Sequence, residues 1–153
     1  MGVTTEDIRT AAKGPLSRLV LEYSVVMKRL VDEAKQPGFS EASWAPLAEH
    51  VDTAAFVRVG AFKEVVNWKQ YVAILTQWAT QADWDCSFKR ITEVPGRVYL
   101  ELEERSGTGP SMDVVNSMSV YEFDADNKLV HLDIYLQREM AHTDMSGWDQ
   151  AGD

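Results

Sequence analysis

Trp84-Asp85-Cys86-Ser87-Phe88-Lys89-Arg90-Ile91-Thr92-Glu93-Val94-Pro95-Gly96-Arg97-Val98-Tyr99-Leu100-Glu101-Leu102-Glu103 is the stretch whose period decides the fold. Trp84, Cys86, Phe88 and Arg90 fall on one face, and after a Val94-Pro95-Gly96-Arg97 turn Val98, Leu100 and Leu102 alternate with Tyr99, Glu101 and Glu103. Side chains alternate along a strand, so the stretch reads as a hairpin of two long strands.

Downstream, Ser106-Gly107-Thr108-Gly109-Pro110-Ser111 connects to a strand over 114–123, a turn at Asp124-Ala125-Asp126-Asn127 and a last strand over 129–137. Upstream the period changes to helical. Leu16, Leu19, Val20, Tyr23, Val26, Met27, Leu30, Val31 and Ala34 form one long amphipathic stripe that stops at Gln36-Pro37-Gly38. Ser40 is a candidate cap for a short helix through Trp44, Leu47 and Ala48, ending near His50. Phe56-Val57-Arg58-Val59 reads as a strand running on through Gly60 toward Phe62, and Asn67 caps a helix with the stripe Tyr71, Ile74, Leu75 and Trp78. Helices first and antiparallel strands after predict an α+β domain whose sheet curls around the long helix.

The chain has 153 residues, 45% hydrophobic and 25% charged, enough for one domain with a sizeable core. Lys and Arg total 15 against 24 Asp and Glu, a net charge of −9 that disfavours nucleic acid and anionic lipid as partners. No apolar run approaches the ~18 residues that span a bilayer, and Met1-Gly2-Val3-Thr4-Thr5-Glu6-Asp7 is acidic where a signal peptide is basic, so no membrane association and a cytoplasmic location are expected. The single Cys86 excludes an intrachain disulfide and cysteine-based metal clusters, and His50, His131 and His142 lack metal-ligand spacing. Gly107 and Gly109 lack the strand-to-helix context and the lysine of a phosphate loop, so neither metal nor cofactor is expected.

The element order, with Asp83-Trp84-Asp85 opening the hairpin, Gly96-Arg97-Val98-Tyr99-Leu100-Glu101 at its turn, and Val120-Tyr121-Glu122-Phe123 leading into Lys128-Leu129-Val130-His131-Leu132-Asp133, resembles the nuclear-transport-factor-2-like (NTF2-like) superfamily, especially its SnoaL-like branch. The resemblance is one of architecture and hydrophobic pattern. It covers residues 16–138, leaving 1–15 as a lead and 139–153 as a tail and possible lid. It implies a cone-shaped half-barrel, a curved, mostly antiparallel sheet wrapped on the long N-terminal helix around one mostly apolar pocket, and a homodimer through the outer sheet face. The superfamily includes ketosteroid isomerases, scytalone dehydratases, limonene-epoxide hydrolases, polyketide cyclases, small-molecule lyases and non-catalytic binding subunits, so fold leaves function open.

On the last strand His131, Asp133, Tyr135 and Gln137 share one face and Leu132, Ile134 and Leu136 the other. If the polar face is the concave one, Asp133 with His131 forms an acid-base pair, and the leucine face is free for a dimer; a half-buried strand ordinarily does the reverse. Asp133 also falls, ahead of Arg138-Glu139, where the resemblance to limonene-epoxide hydrolases implies a catalytic aspartate, while Leu102 and Glu104 stand where those enzymes carry an arginine and an aspartate. Tyr23 lies where ketosteroid isomerases carry a phenol that donates to an enolate oxygen, and it is equally readable as a core tyrosine. The carboxylic residues of those isomerases would fall near Arg58 and Ser119, which cannot take their parts. Arg58 pointing inward is a fixed cation for an oxyanion or carboxylate; pointing outward it is a surface charge. Tyr135, Ser117, Ser119, Trp68, Tyr71 and Leu102 are the candidate substrate contacts. Glu101, Glu103 and Glu104 read as a solvated or dimer-edge row paired with Lys89 and Arg90.

Two readings follow. One is a cofactor-independent isomerase, dehydratase or lyase for a hydrophobic or aromatic small molecule, using Asp133, His131, Tyr23 and Arg58. The other is a binding or dimeric assembly module of the same fold without chemistry.

Overall fold

A computed structural model describes residues 5–139; the tail expected as a lid lies, apart from Glu139, outside them, as does His142. Helix α1 (Thr5–Ala11) packs Ile8 into the core and leads to α2 (Pro15–Glu33). Pro15 starts α2 at a position where its missing N–H costs nothing, and the predicted stripe buries Leu16, Val20, Tyr23, Leu30 and Val31. The first turn of α2 is capped from the sheet: Glu93 accepts from the Ser17 backbone N–H and from Ser17 Oγ at 2.8 Å. Gly14 lies so close to this carboxylate that a Cβ there would stand 2.2 Å from Glu93 Oε2.

A 3-10 turn (Glu41–Trp44) begins at Ser40 and continues into α3 (Ala45–Ala48). Trp44 is buried and donates from Nε1 to Thr76 Oγ1 at 2.9 Å, tying this segment to α4 (Trp68–Ala79). Asn67 and Gln70 cap α4 reciprocally, each side-chain oxygen accepting the other's backbone N–H at 2.9 Å.

Six strands form one sheet: β1 (Val57–Val59), β2 (Val65–Asn67), β3 (Trp84–Val94), β4 (Arg97–Ser106), β5 (Asp113–Phe123) and β6 (Leu129–Arg138), in the order β2-β1-β6-β5-β4-β3. All neighbours are antiparallel except β1 and β6. The predicted turn at Pro95-Gly96 joins β3 to β4, with Gly96 at φ +72°.

Three expectations change here. The strand read through Gly60 ends at Val59, and a short hairpin brings the chain back as β2. Alternation in β3 is reset by a bulge between Phe88 and Arg90, so Ile91, opposite Leu100, follows Phe88 on the inner face and Arg90 turns outward to Glu101. The face of β6 is also the reverse of the catalytic reading. Arg58 is paired with Leu132, Leu132 with Tyr121, Ile134 with Ser119, and Leu136 with Ser117. Directly paired residues share a face. Leu132, Ile134 and Leu136 therefore belong to the concave side, and the apolar outer face that motivated the dimer expectation is not there. The outer side instead carries ion pairs such as Arg97 with Glu122 at 2.7 Å and Arg90 with Glu101.

Candidate functional site

Between α2, α4 and the concave sheet lies a cavity of about 390 Å³, within the range of small-molecule sites. Helix α2 contributes Tyr23, Ser24 and Met27, and α4 contributes Tyr71, Ile74, Leu75 and Trp78. From the sheet come Trp84, Cys86, Leu102, Glu104, Ser119, Tyr121, Leu132 and Ile134, while Arg58 and Glu64 enter from the β1–β2 hairpin.

Most of this wall is apolar, so its polar groups stand out. The Tyr23 hydroxyl is fully buried beside the Tyr71 phenol, with no well-formed hydrogen bond among the described residues. Its ring meets Tyr121 edge-on, centroids 5.7 Å apart. Burial, with Tyr71 and Tyr121 nearby, raises the Tyr23 pKa well above the usual phenol value, against a smaller opposing pull from Arg58. Burial likewise raises Tyr71, where Arg58 again opposes it, and Tyr121, where Tyr71 and Glu104 add to the rise. All three phenols stay protonated at neutral pH.

Glu104 is the carboxylate on the sheet's concave wall. Its Oε1 accepts the Trp84 indole N–H at 2.9 Å, and it is paired in register with Cys86. The thiol of Cys86 is pushed up to about 11 by burial, with Glu104 and Asp85 adding to the rise. Arg58 points inward, its guanidinium 4.9 Å above the Tyr71 ring.

The structure thus separates the candidates drawn from the sequence. Tyr23, Arg58, Tyr71, Leu102 and Ser119 meet in the cavity. Asp133 and His131 do form a pair, His131 Nε2 to Asp133 Oδ1 at 2.9 Å, but on the outer face: Asp133 is paired with Val59 and Val120, out of phase with the cavity residues. Tyr135 follows them outward and is 55% exposed. Ser117 shares the concave side but is buried, its Oγ unpartnered, without lining the cavity. Trp68 packs on Phe56 and Tyr71 and lines a separate groove with Trp44. The acidic row also divides. Glu101 pairs with Arg90, and Glu103 pairs with Arg105 at 3.0 Å rather than with Lys89. Glu104 turns inward, extending the series Val98, Leu100, Leu102 by one more alternate position. That continuation was the available signal for Glu104; the neighbouring carboxylates Glu101 and Glu103 hid it.

A SnoaL-like polyketide cyclase candidate from Shewanella putrefaciens superposes with a TM-score of 0.62 at 8% identity, over 89% of this chain and 92% of that one. An epoxide hydrolase of the limonene-epoxide-hydrolase-like type from M. tuberculosis gives 0.55 at 12% identity, over 76% and 83%. The chain has the NTF2-like fold. A ketosteroid isomerase candidate from Kribbella flavida shares it at 0.54 and 9% identity, over 78% and 81%. No protein-family model matches the sequence, and no curated protein matches it. Among the described residues no helix is long and apolar enough to cross a membrane.

Proposed function

We propose that this NTF2-like protein is a cofactor-independent acid-base enzyme, an isomerase, dehydratase or lyase for a hydrophobic ring-bearing small molecule, with Glu104 as general base and Tyr23 as donor to a developing oxyanion. The observation that carries this reading is that a carboxylate held by Trp84 and a buried phenol with no well-formed hydrogen bond face one apolar cavity. Such a pair suits removal of a proton from carbon next to a carbonyl. Glu104 takes the proton, the C–H electron pair becomes the carbon–carbon double bond of an enolate, and the carbonyl oxygen gains negative charge and accepts the Tyr23 hydrogen bond. The proton then returns at another carbon, or a leaving group departs from the neighbouring carbon.

A positioned base typically supplies ~10²–10⁴ in rate, and one oxyanion donor ~10²–10³. The Tyr23 hydrogen bond acts mainly where charge develops, which is the condition for raising rate rather than affinity alone. The structural neighbours are consistent with this: they include an epoxide hydrolase and candidates for a cyclase and an isomerase. Epoxide hydrolysis is less well supported, because Leu102 stands in the cavity where the resemblance implies an arginine.

The test is proton exchange. One- to three-ring cyclic ketones and β-hydroxy ketones are incubated with the protein in D₂O and followed by proton NMR. Enzyme-dependent loss of signal at one carbon, slowed by Tyr23→Phe, supports the reading. Binding of these compounds with no exchange or elimination across the panel favours the non-catalytic binding module instead.

A further inference from the structure

We propose that Arg58 is the seat for a carboxylate, so that the ligand of the cavity is an anionic ring compound with its acid group on the β1 wall and its reacting end at Glu104. This deepens the function proposed above and rests on the same cavity.

Arg58 is on a strand edge of the cavity because β1 runs parallel to β6 with Arg58 opposite Leu132, a concave residue. Its Nε is buried without a hydrogen-bond partner. The nearest carboxylate oxygen, Glu64 Oε1, lies 3.8 Å from Nη1, too far for a hydrogen bond, and the other Glu64 oxygen accepts the Phe62 backbone N–H at 2.9 Å. Glu64 is thus held to its own loop and lowers the charge around Arg58 while leaving Nε without an acceptor. A buried cationic donor with no acceptor is costly, and a ligand that supplies one recovers that cost on binding. The guanidinium plane is also steadied by the Tyr71 ring beneath it.

The class of anion follows from the surroundings. A guanidinium presents paired N–H groups that match the two oxygens of a planar carboxylate. A dianion such as a phosphate would meet the Glu64 charge with one guanidinium to offset it. Arg58 on β1 and Glu104 on β4 lie on different strands of the concave face with β6 and β5 between them, and the wall between is Leu132, Tyr121 and Ser119, apolar and aromatic with single hydroxyls, which suits the rings of the ligand.

Trp78 and Trp84 line the cavity and report binding by their fluorescence. The full chain is titrated with 2-naphthoate and with its neutral isostere 2-naphthamide at fixed ionic strength. The expected result is naphthoate binding about tenfold or more tighter, a preference abolished by Arg58→Gln through loss of naphthoate affinity alone. Glu64→Gln, which removes the competing negative charge, tightens naphthoate and leaves naphthamide unchanged, and it serves as the second variant should Arg58→Gln not fold. Equal affinity of acid and amide, no binding of either, a preference that survives Arg58→Gln, or naphthoate binding not tightened by Glu64→Gln overturns the proposal. Neither probe carries an enolisable carbon, so this readout is independent of turnover: exchange on neutral ketones without any carboxylate preference would sink this inference and leave the acid-base reading standing.

Discussion

The indole N–H of Trp84 donates to Glu104 Oε1 at 2.9 Å inside the cavity, across two strands of one hairpin. Trp84 is itself paired with Ser106, one alternate position beyond Glu104, so the bond is a same-face diagonal that a twisted hairpin brings into reach. It occupies one carboxylate oxygen and fixes the plane of the group, leaving the other oxygen for a substrate proton. Edge contact between Trp84 and Trp78, centroids 5.9 Å apart, braces the indole in turn.

The cap that Glu93 places on α2 is a stability feature with a measurable weight. Glu93→Ala leaves the Ser17 N–H and hydroxyl without an acceptor in a buried position, and urea denaturation is expected to show a loss of about 1–2 kcal/mol. Glu101→Ala, which breaks only an ion pair with the exposed Arg90, is expected to cost less.

The buried phenols set an alkaline limit. Tyr23, Tyr71 and Tyr121 all titrate above 10.0 in the folded chain, chiefly from burial, whereas in the unfolded chain they titrate near that value. Their contribution to stability is fully present below pH 10 and is lost as pH rises from 10 toward their folded values, by about 1.4 kcal/mol per pH unit for each. The urea midpoint should therefore be insensitive to these groups through neutral pH and fall steeply above 10. Tyr23→Phe, which removes a hydroxyl with no well-formed hydrogen bond, is expected to be neutral or stabilising at pH 7 and to make the alkaline fall shallower.

The thiol of Cys86 is pushed from 9.0 to about 11, chiefly by burial. Its thiolate fraction near neutral pH is lower by roughly a hundredfold, and alkylation by iodoacetamide should slow by a similar factor against the urea-unfolded chain. Equal rates in the two states would mean that the β3 side of the cavity is open to solvent.

Much of the fold is legible in the sequence because its signals are periodic over many residues. The stripe from Leu16 to Ala34 and the β3–β4 alternation each repeat often enough to mark an element. The site is harder to read. Alternation in β6 sorts Leu132, Ile134 and Leu136 from His131, Asp133 and Tyr135 with no ambiguity, yet it does not say which set faces inward. That is decided by the parallel partner β1 and by which side the helices cover. The resemblance favoured the polar face, and the ordinary physics of a half-buried strand, apolar side in, prevailed. Glu104 is obscured for a related reason: in Glu101-Leu102-Glu103-Glu104-Arg105 three carboxylates look alike, and only the register with Cys86 and Val115 turns one of them into the cavity. Lys89 hides its bulge similarly, since one residue slipped out of a strand leaves no mark on composition.

The central claim is that the cavity carboxylate Glu104, and not the outer-face pair Asp133 and His131, handles the proton. It is tested most directly by measuring carbon-proton exchange for Glu104→Gln and Asp133→Asn side by side, on whichever ring ketone the wild type turns over, with ligand binding followed in parallel by tryptophan fluorescence. The account predicts that Glu104→Gln loses ~10²–10⁴ of the rate while keeping its affinity, and that Asp133→Asn keeps both. Exchange that survives in Glu104→Gln and vanishes in Asp133→Asn would contradict it.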